Sequence, residues 1–207
     1  MLRVALFVIV LACAGCGVRP SAGAPGPTVH VVQEGIHSGL LLPADWIWPQ
    51  ATGVAEFSFG DRAWMMGEDR STARACRLAV WPSEGAVYLR RCGDDAAQAI
   101  RHERWRALAV PLSPIGAEQM RQELQTWLPP GPDLASWSDG AVFRPSRPFH
   151  LYRTCHDQVA AALLAAGVPL SGSWLPARSA DRFHDEVGEA LAALQARGIR
   201  WVEKLSE

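Results

Sequence analysis

The chain has no surplus of either charge: 20 Lys and Arg stand against 21 Asp and Glu, a formal net charge of −1. A protein that tracks a nucleic-acid backbone needs a basic field, so nucleic-acid binding is set aside. A long apolar run is also missing. The stretch from Val4 to Ala14 is too short to cross a bilayer as a stable anchor. No internal repeat is visible. His150, Cys155 and His156 follow no familiar zinc spacing, so neither a metal nor a cofactor is expected.

What the N-terminus does contain is one Arg, a short apolar stretch and then small residues, "MLRVALFVIVLACAGCG". That is the layout of a secretory signal peptide. Its end, "LACAGC", resembles a bacterial lipobox, in which a peptidase cuts before a cysteine that then receives lipid. Cys16, preceded by Ala14-Gly15, is the candidate, with a Cys at −3 where Leu or Val is usual. Cys13, preceded by Leu11-Ala12, is the alternative, and an ordinary cleaved signal peptide a third reading. No Asp follows Cys16, which in a Gram-negative cell favours an outer-membrane location facing the periplasm. The expected organisation is a signal peptide over 1–15, a lipidated flexible linker over 16–27 and a single domain over 28–207. The linker "GVRPSAGAPGP" is rich in Gly, Pro, Ala and Ser and has no periodicity.

Five cysteines are few, but an exported protein sits where disulfides persist. With Cys13 removed and Cys16 lipidated, Cys76, Cys92 and Cys155 remain. "ARACRLAVW" and "GAVYLRRCG" both alternate like strands around the turn signal "PSEG", which would bring Cys76 and Cys92 together as a disulfide. A one-residue register slip would point them to opposite faces. Cys155 is then the odd thiol, either an inert packing residue or a reactive group.

Further along, "TVHVVQEG" and "HSGLLLP" read as two short strands, or one bent strand broken at Gly35. "VAEFSFGDRAWMM" reads as a further strand with a turn at Gly60-Asp61, and "RWRALAVPLS" as another strand. Ser113 and Pro114 open a helix as N-cap and first helical residue, with Ile115, Met120, Leu124 and Trp127 inward and a stop at Pro129-Pro130. A loop is expected from Gly131 to about Ser146. A helix then runs from Cys155 to the C-cap Gly167. A last helix starts near Ser179 with Phe183, Val187, Leu191 and Leu194 at core spacing, ends near Gly198, and is followed by a short element, "IRWVEKL". Strands first and helices mostly later point to an α+β fold. Nine Trp residues, Trp46, Trp48, Trp137 and Trp174 among them, either line a groove or pack the core and rim.

The stretch "LYRTCHDQVAAALLAAG" puts Cys155 in the first turn of an apolar helix, capped by Thr154 or opened by the cysteine itself. Unpaired N–H groups and aligned peptide dipoles favour the thiolate there, Arg153 adds positive charge, and the N–H groups of Cys155 and His156 suit an oxyanion hole. The thiol needs a base. His37, in "EGIHSGLLLP", follows Gly35 and starts an apolar strand from which it could face the buried helix. His30 lacks that glycine context, His102 lies in a charged stretch, and His184 falls on the polar side of the last helix. His150 and His156 are close to Cys155 in sequence. Neighbours on a helix diverge by about a hundred degrees, however, so His156 is poorly placed as the base. Asp61 on the following strand could orient His37, with Glu56 or Ser58 as alternatives; it could equally be a turn residue paired with Arg62.

A histidine strand that precedes a cysteine helix resembles the permuted papain-like cysteine hydrolases. More narrowly, "EGIHSGLLLP", "FSFGDRAWM", "FHLYRTCHDQVAAALLAAGVPL" and the lipobox resemble an uncharacterised bacterial lipoprotein family, the conserved hypothetical protein of the urease region, from about Val29 to Leu170. The chain departs from that family at His156, where Asn is common, at Gln158, where Trp is common, and by one Gly-Trp pair missing from the turn before Asp61. The resemblance implies a small antiparallel sheet packed against the cysteine helix. It also implies an envelope cysteine hydrolase or acyltransferase in which Cys155 attacks a carbonyl, His37 handles the proton and Asp61 orients His37. Substrates matching that location are cell-wall peptides and lipid acyl groups, and the membrane is reached through the lipid anchor. The rival reading is a non-catalytic envelope lipoprotein that binds a partner.

Overall fold

The computed structural model describes residues 26–78, 81–128, 135–145, 147–150, 153–170 and 179–196. The expected signal peptide, Cys13, Cys16, most of the linker, Pro129-Pro130, Trp174 and the segment "IRWVEKL" lie outside these residues.

Seven strands form one antiparallel sheet in the order β5-β1-β2-β3-β4-β7-β6. β1 (Thr28–Glu34) and β2 (His37–Pro43) make a hairpin closed at Gly35-Ile36, with Glu34 opposite His37. Gly35 takes a φ of 55°, which a tight turn demands and a glycine adopts without a Cβ penalty. β3 (Val54–Asp61) follows β2, and β4 (Gly85–Arg91) follows β3. β5 (Arg106–Pro111) returns to the far side of β1.

Alternation along the strands builds two cores on opposite faces, because successive side chains point opposite ways. Val29, Val31, Leu40, Leu42, Phe57, Phe59, Val87 and Leu89 face the larger core. Over them lie α4 (Pro114–Gln125), α5 (Cys155–Ala165) and α6 (Ala180–Ala196). α5 packs across β2 and β3 and against α4, while α6 lies over β1 and β5. On the reverse face Val32 and Leu41 meet Ala99 of α3 (Ala96–Glu103) and Trp105. The antiparallel sheet with helices against it is a mixed α and β architecture, in keeping with the class read from the sequence.

Ser113 caps α4 by accepting the Gly116 N–H at 2.9 Å, and Met120, Leu124 and Trp127 are buried as expected. Ile115 is not: it stands 70 % exposed at the helix start. Phe183, Val187 and Leu191 of α6 are buried, with Leu194 half-buried.

Several expectations are corrected. "ARACRLAVW" does not form a strand. Its first part belongs to α2 (Thr72–Leu78), so Cys76 sits exposed on a helix, and β4 pairs with β3 and β7 instead. Ala, Arg and Leu favour a helix, and the Ser71 hydroxyl accepts the Arg74 N–H at its start. Cys76 and Cys92 are free thiols rather than a disulfide. In "VAEFSFGDRAWMM" the strand ends at Asp61, where the turn is expected, but the residues after it form a helix, α1 (Arg62–Met65). The region read as a loop contains β6 (Ala135–Trp137) and β7 (Gly140–Phe143), a short hairpin whose second strand extends the sheet at β4. α3 is not among the elements read from the sequence; in it four apolar residues stand against four polar ones.

Candidate active site

Cys155 is the first helical residue of α5, after Thr154 as N-cap. Asp157 turns back over the helix start, its Oδ2 accepting the Thr154 N–H at 2.7 Å and the Thr154 hydroxyl at 2.8 Å. That arrangement pins the first turn, and with it the sulfur. The core residues Val159, Ala162 and Leu163 hold the rest of the helix against the sheet. Cys155 is only 7 % exposed.

His37, half-buried at the first position of β2, reaches the thiol from the sheet. Its ring lies close enough to Cys155 for the charge of each to act on the other. Burial alone would raise the Cys155 pKa. The positive charge of His37, together with hydrogen bonds from His156 and His37, overrides this and holds the thiol well below its ordinary value. In turn, burial would lower His37, but the Cys155 charge and hydrogen bond, with the carboxylates of Glu56 and Glu34, carry its pKa upward. The two shifts run in the direction of a thiolate beside an imidazolium.

His156 is the residue the sequence misplaced. Its Nδ1 lies 3.2 Å from Cys155 Sγ. Helical side chains lean back toward the N-terminus, and at the first turn no preceding turn blocks that direction, so adjacent residues can still meet. The ring is buried and packs edge-on to Phe183 of α6, at 5.4 Å between centroids and 70°.

Asp61 does not orient His37. Its carboxylate caps α1 by accepting the Trp64 N–H at 2.9 Å and accepts Ser83 Oγ at 2.6 Å. It also accepts two hydrogen bonds from Arg74, Nε to Oδ1 and Nη2 to Oδ2, each at 2.7 Å. Burial would raise its pKa, but these donors hold it below the usual carboxylate range. Arg62, the other partner considered, pairs with Glu68.

The carboxylates that act on His37 within the sheet are Glu56 on β3 and then Glu34 on β1, both by charge. Glu56 is buried, with Ser58 Oγ donating to Oε1 at 2.6 Å and Arg90 Nη2 to Oε2 at 3.0 Å. Gly39 makes room for this pair: a Cβ there would come 2.6 Å from Ser58 Oγ. The "HSG" of the sequence thus joins a base and a clearance for the group behind it. Both alternatives to Asp61, Glu56 and Ser58, belong to this one network.

The other histidines lie apart from the thiol. His102 is exposed beside Glu103. His30 is buried on β1 under Asp95, its pKa lowered by burial against that carboxylate's pull. His184 is buried, not on a polar face, and burial with Arg106 nearby lowers it to about 4. Trp46 and Trp48 pack against the main core. Among the described residues no group of His, Cys, Asp and Glu could hold a metal ion.

A free cysteine at the start of a rigid helix with imidazoles beside it can, as its thiolate, attack an electrophilic carbon and pass a proton to what leaves. No family model, curated protein or solved structure matches this chain, so the chemistry of the Cys155, His37 and His156 cluster rests on its own geometry.

Proposed function

We propose that the protein is a cysteine hydrolase or acyltransferase of the cell envelope, with a permuted papain-like arrangement in which the histidine strand precedes the cysteine helix. Cys155 is the nucleophile and His37 the proton carrier. The observation that carries this reading is the meeting of Cys155, in the first turn of α5, with His37, at the start of β2. The lipobox-like "LACAGC" supports the envelope location, with Cys16 as the lipid-bearing residue.

In the first half-reaction the Cys155 thiolate adds to the carbonyl carbon of an amide, ester or thioester, and the new C–S bond pushes charge onto oxygen. Helix N–H groups at Cys155 and His156, which have no intrahelical partner, are the nearest donors for that oxyanion. Collapse breaks the bond to the leaving group, which takes the proton from His37. In the second half, neutral His37 removes a proton from water or from an acceptor amine or alcohol. That nucleophile attacks the thioester, releasing acid or transferred product and restoring the ion pair. Cell-wall peptides and lipid acyl groups fit the location.

The test is turnover of acyl-thioester and activated-ester substrates by the wild type beside Cys155→Ala and His37→Ala. The expected result is loss of turnover in Cys155→Ala and a fall of roughly 10²–10⁴-fold in His37→Ala. Equal rates in all three proteins would favour a second reading, an envelope binding module. The low exposure of the Cys155 sulfur is the observation on that side.

A further inference from the structure

We propose that His156 is a second holder of the Cys155 sulfur, its Nδ1–H donating to the thiolate, so that the nucleophile is clamped between two histidines of different roles. This rests on the reading of Cys155 and His37 as a reactive pair and adds to it. His37 carries the mobile proton; His156 fixes the sulfur and keeps it ionised.

Two geometric facts support the assignment. Nδ1 of His156 is 3.2 Å from Sγ, within reach of a hydrogen bond to sulfur. On the opposite edge, Nε2 is buried and has no partner. A hydrogen on Nε2 would be an unpaired buried donor, whereas a bare nitrogen there leaves the single hydrogen on Nδ1, facing the sulfur. Phe183 closes the ring in edge-on and holds it in that orientation.

The charged and titratable surroundings leave the clamp to these two rings. From β2 the thiol is faced by His37, whose own field comes from Glu56 on β3 and Glu34 on β1. On α5, Asp157 is committed to Thr154. His150 and Arg153 precede the helix, their backbones joined in a small bridge. On α6, Asp181 is engaged by Gln33, and His184 lies near Arg106. On α4, Arg121 and Gln122 bind Glu118 on the exposed side, and Glu123 accepts from Trp127. The His156 donor at the sulfur, together with the charge of His37, explains how a buried sulfur is kept in its charged form.

Two measurements on the full chain test the clamp. The first is long-range ¹H–¹⁵N NMR on protein labelled with ¹⁵N-histidine, which reads the tautomer without any substitution. The expected result for His156 is a protonated Nδ1 and a bare Nε2; a hydrogen on Nε2 overturns the proposal. The second is iodoacetamide alkylation of Cys155 across pH, read by peptide mass spectrometry in wild type, His156→Leu, His156→Asn and His37→Ala. His156→Leu is expected to move the alkylation midpoint up by about one pH unit, a roughly tenfold smaller thiolate fraction on the acid side. His156→Asn, which keeps an N–H donor, is expected to restore part of that shift. If His156→Leu is folded and titrates like wild type while His37→Ala is shifted, the clamp is wrong and the Cys155 and His37 reading survives. If neither variant shifts, both fall.

Discussion

The carboxylate of Asp61 is bracketed by Arg74, Nε and Nη2 each donating to one oxygen at 2.7 Å. With Ser83 and the Trp64 N–H it ties α1, α2 and the segment that precedes β4 to the end of β3. Its job is therefore to hold that corner together. Asp61→Ala is expected to cost roughly 2–4 kcal/mol, because it strands a charged and two polar partners. Urea denaturation measures this. The alkylation pH profile of Cys155 should stay where it is in the folded variant; a shifted profile would return Asp61 to the site.

The coupled shifts of Cys155 and His37 set a pH window. The ion pair exists above the lowered thiol pKa and below the raised imidazolium pKa. Turnover should therefore follow a bell, its acid limb below the ordinary thiol value of about 8.5 and its alkaline limb above the ordinary histidine value of about 6.5. Stability follows the same pair. The lowered thiol contributes stability that is present above the ordinary thiol value of about 8.5 and is lost as pH falls through its folded pKa. The raised imidazolium contributes stability that is fully present below the ordinary histidine value of about 6.5 and is lost as pH rises through its folded pKa. In Cys155→Ala the acid-side loss should be absent in thermal melts across pH; an unchanged curve would contradict the ion pair.

Glu56 raises His37 by charge. Glu56→Gln keeps a hydrogen-bond acceptor for Ser58 and Arg90 but removes the charge. The alkaline limb of the turnover profile, or the His37 ring titration read by NMR, should move to lower pH, while the acid limb moves little. An unmoved His37 would show that the field at its ring comes from elsewhere, Glu34 being the next carboxylate in line.

Gln158 is wholly buried on α5, and both of its amide atoms lack a hydrogen-bond partner. An unpaired buried polar atom costs roughly 1–3 kcal/mol. Gln158→Met, of similar shape and without those atoms, should raise the melting temperature by about 2–4 °C. A lower melting temperature would reveal a bound partner for the amide.

Much of this architecture is readable along the chain because it depends on local periodicity. β1, β2 and β5 alternate or run apolar, Ser113-Pro114 opens α4, and Thr154 opens α5, since caps and side-chain period act within a few residues. α2 shows where such reading fails. Small Ala and Cys alternating with Arg match a strand and a helix equally, and the capping Ser71 decides between them. β6 and β7 are too short to carry a period, and they become strands because β4 offers an open edge.

For the site, the sequence by itself determined that a thiol stands in the first turn of a buried helix and that a histidine opens an apolar strand after a glycine. Cap chemistry and strand pattern are local properties, so those two statements needed no partner. Tertiary structure alone decided which groups surround the sulfur: His37 reaching it from the sheet, His156 folded back onto it under Phe183, Asp61 spent on Arg74, and Glu56 in its place. The fields and hydrogen bonds that ionise a buried sulfur act through space over a few ångströms, and those neighbours are set by how α5 and α6 pack on the sheet.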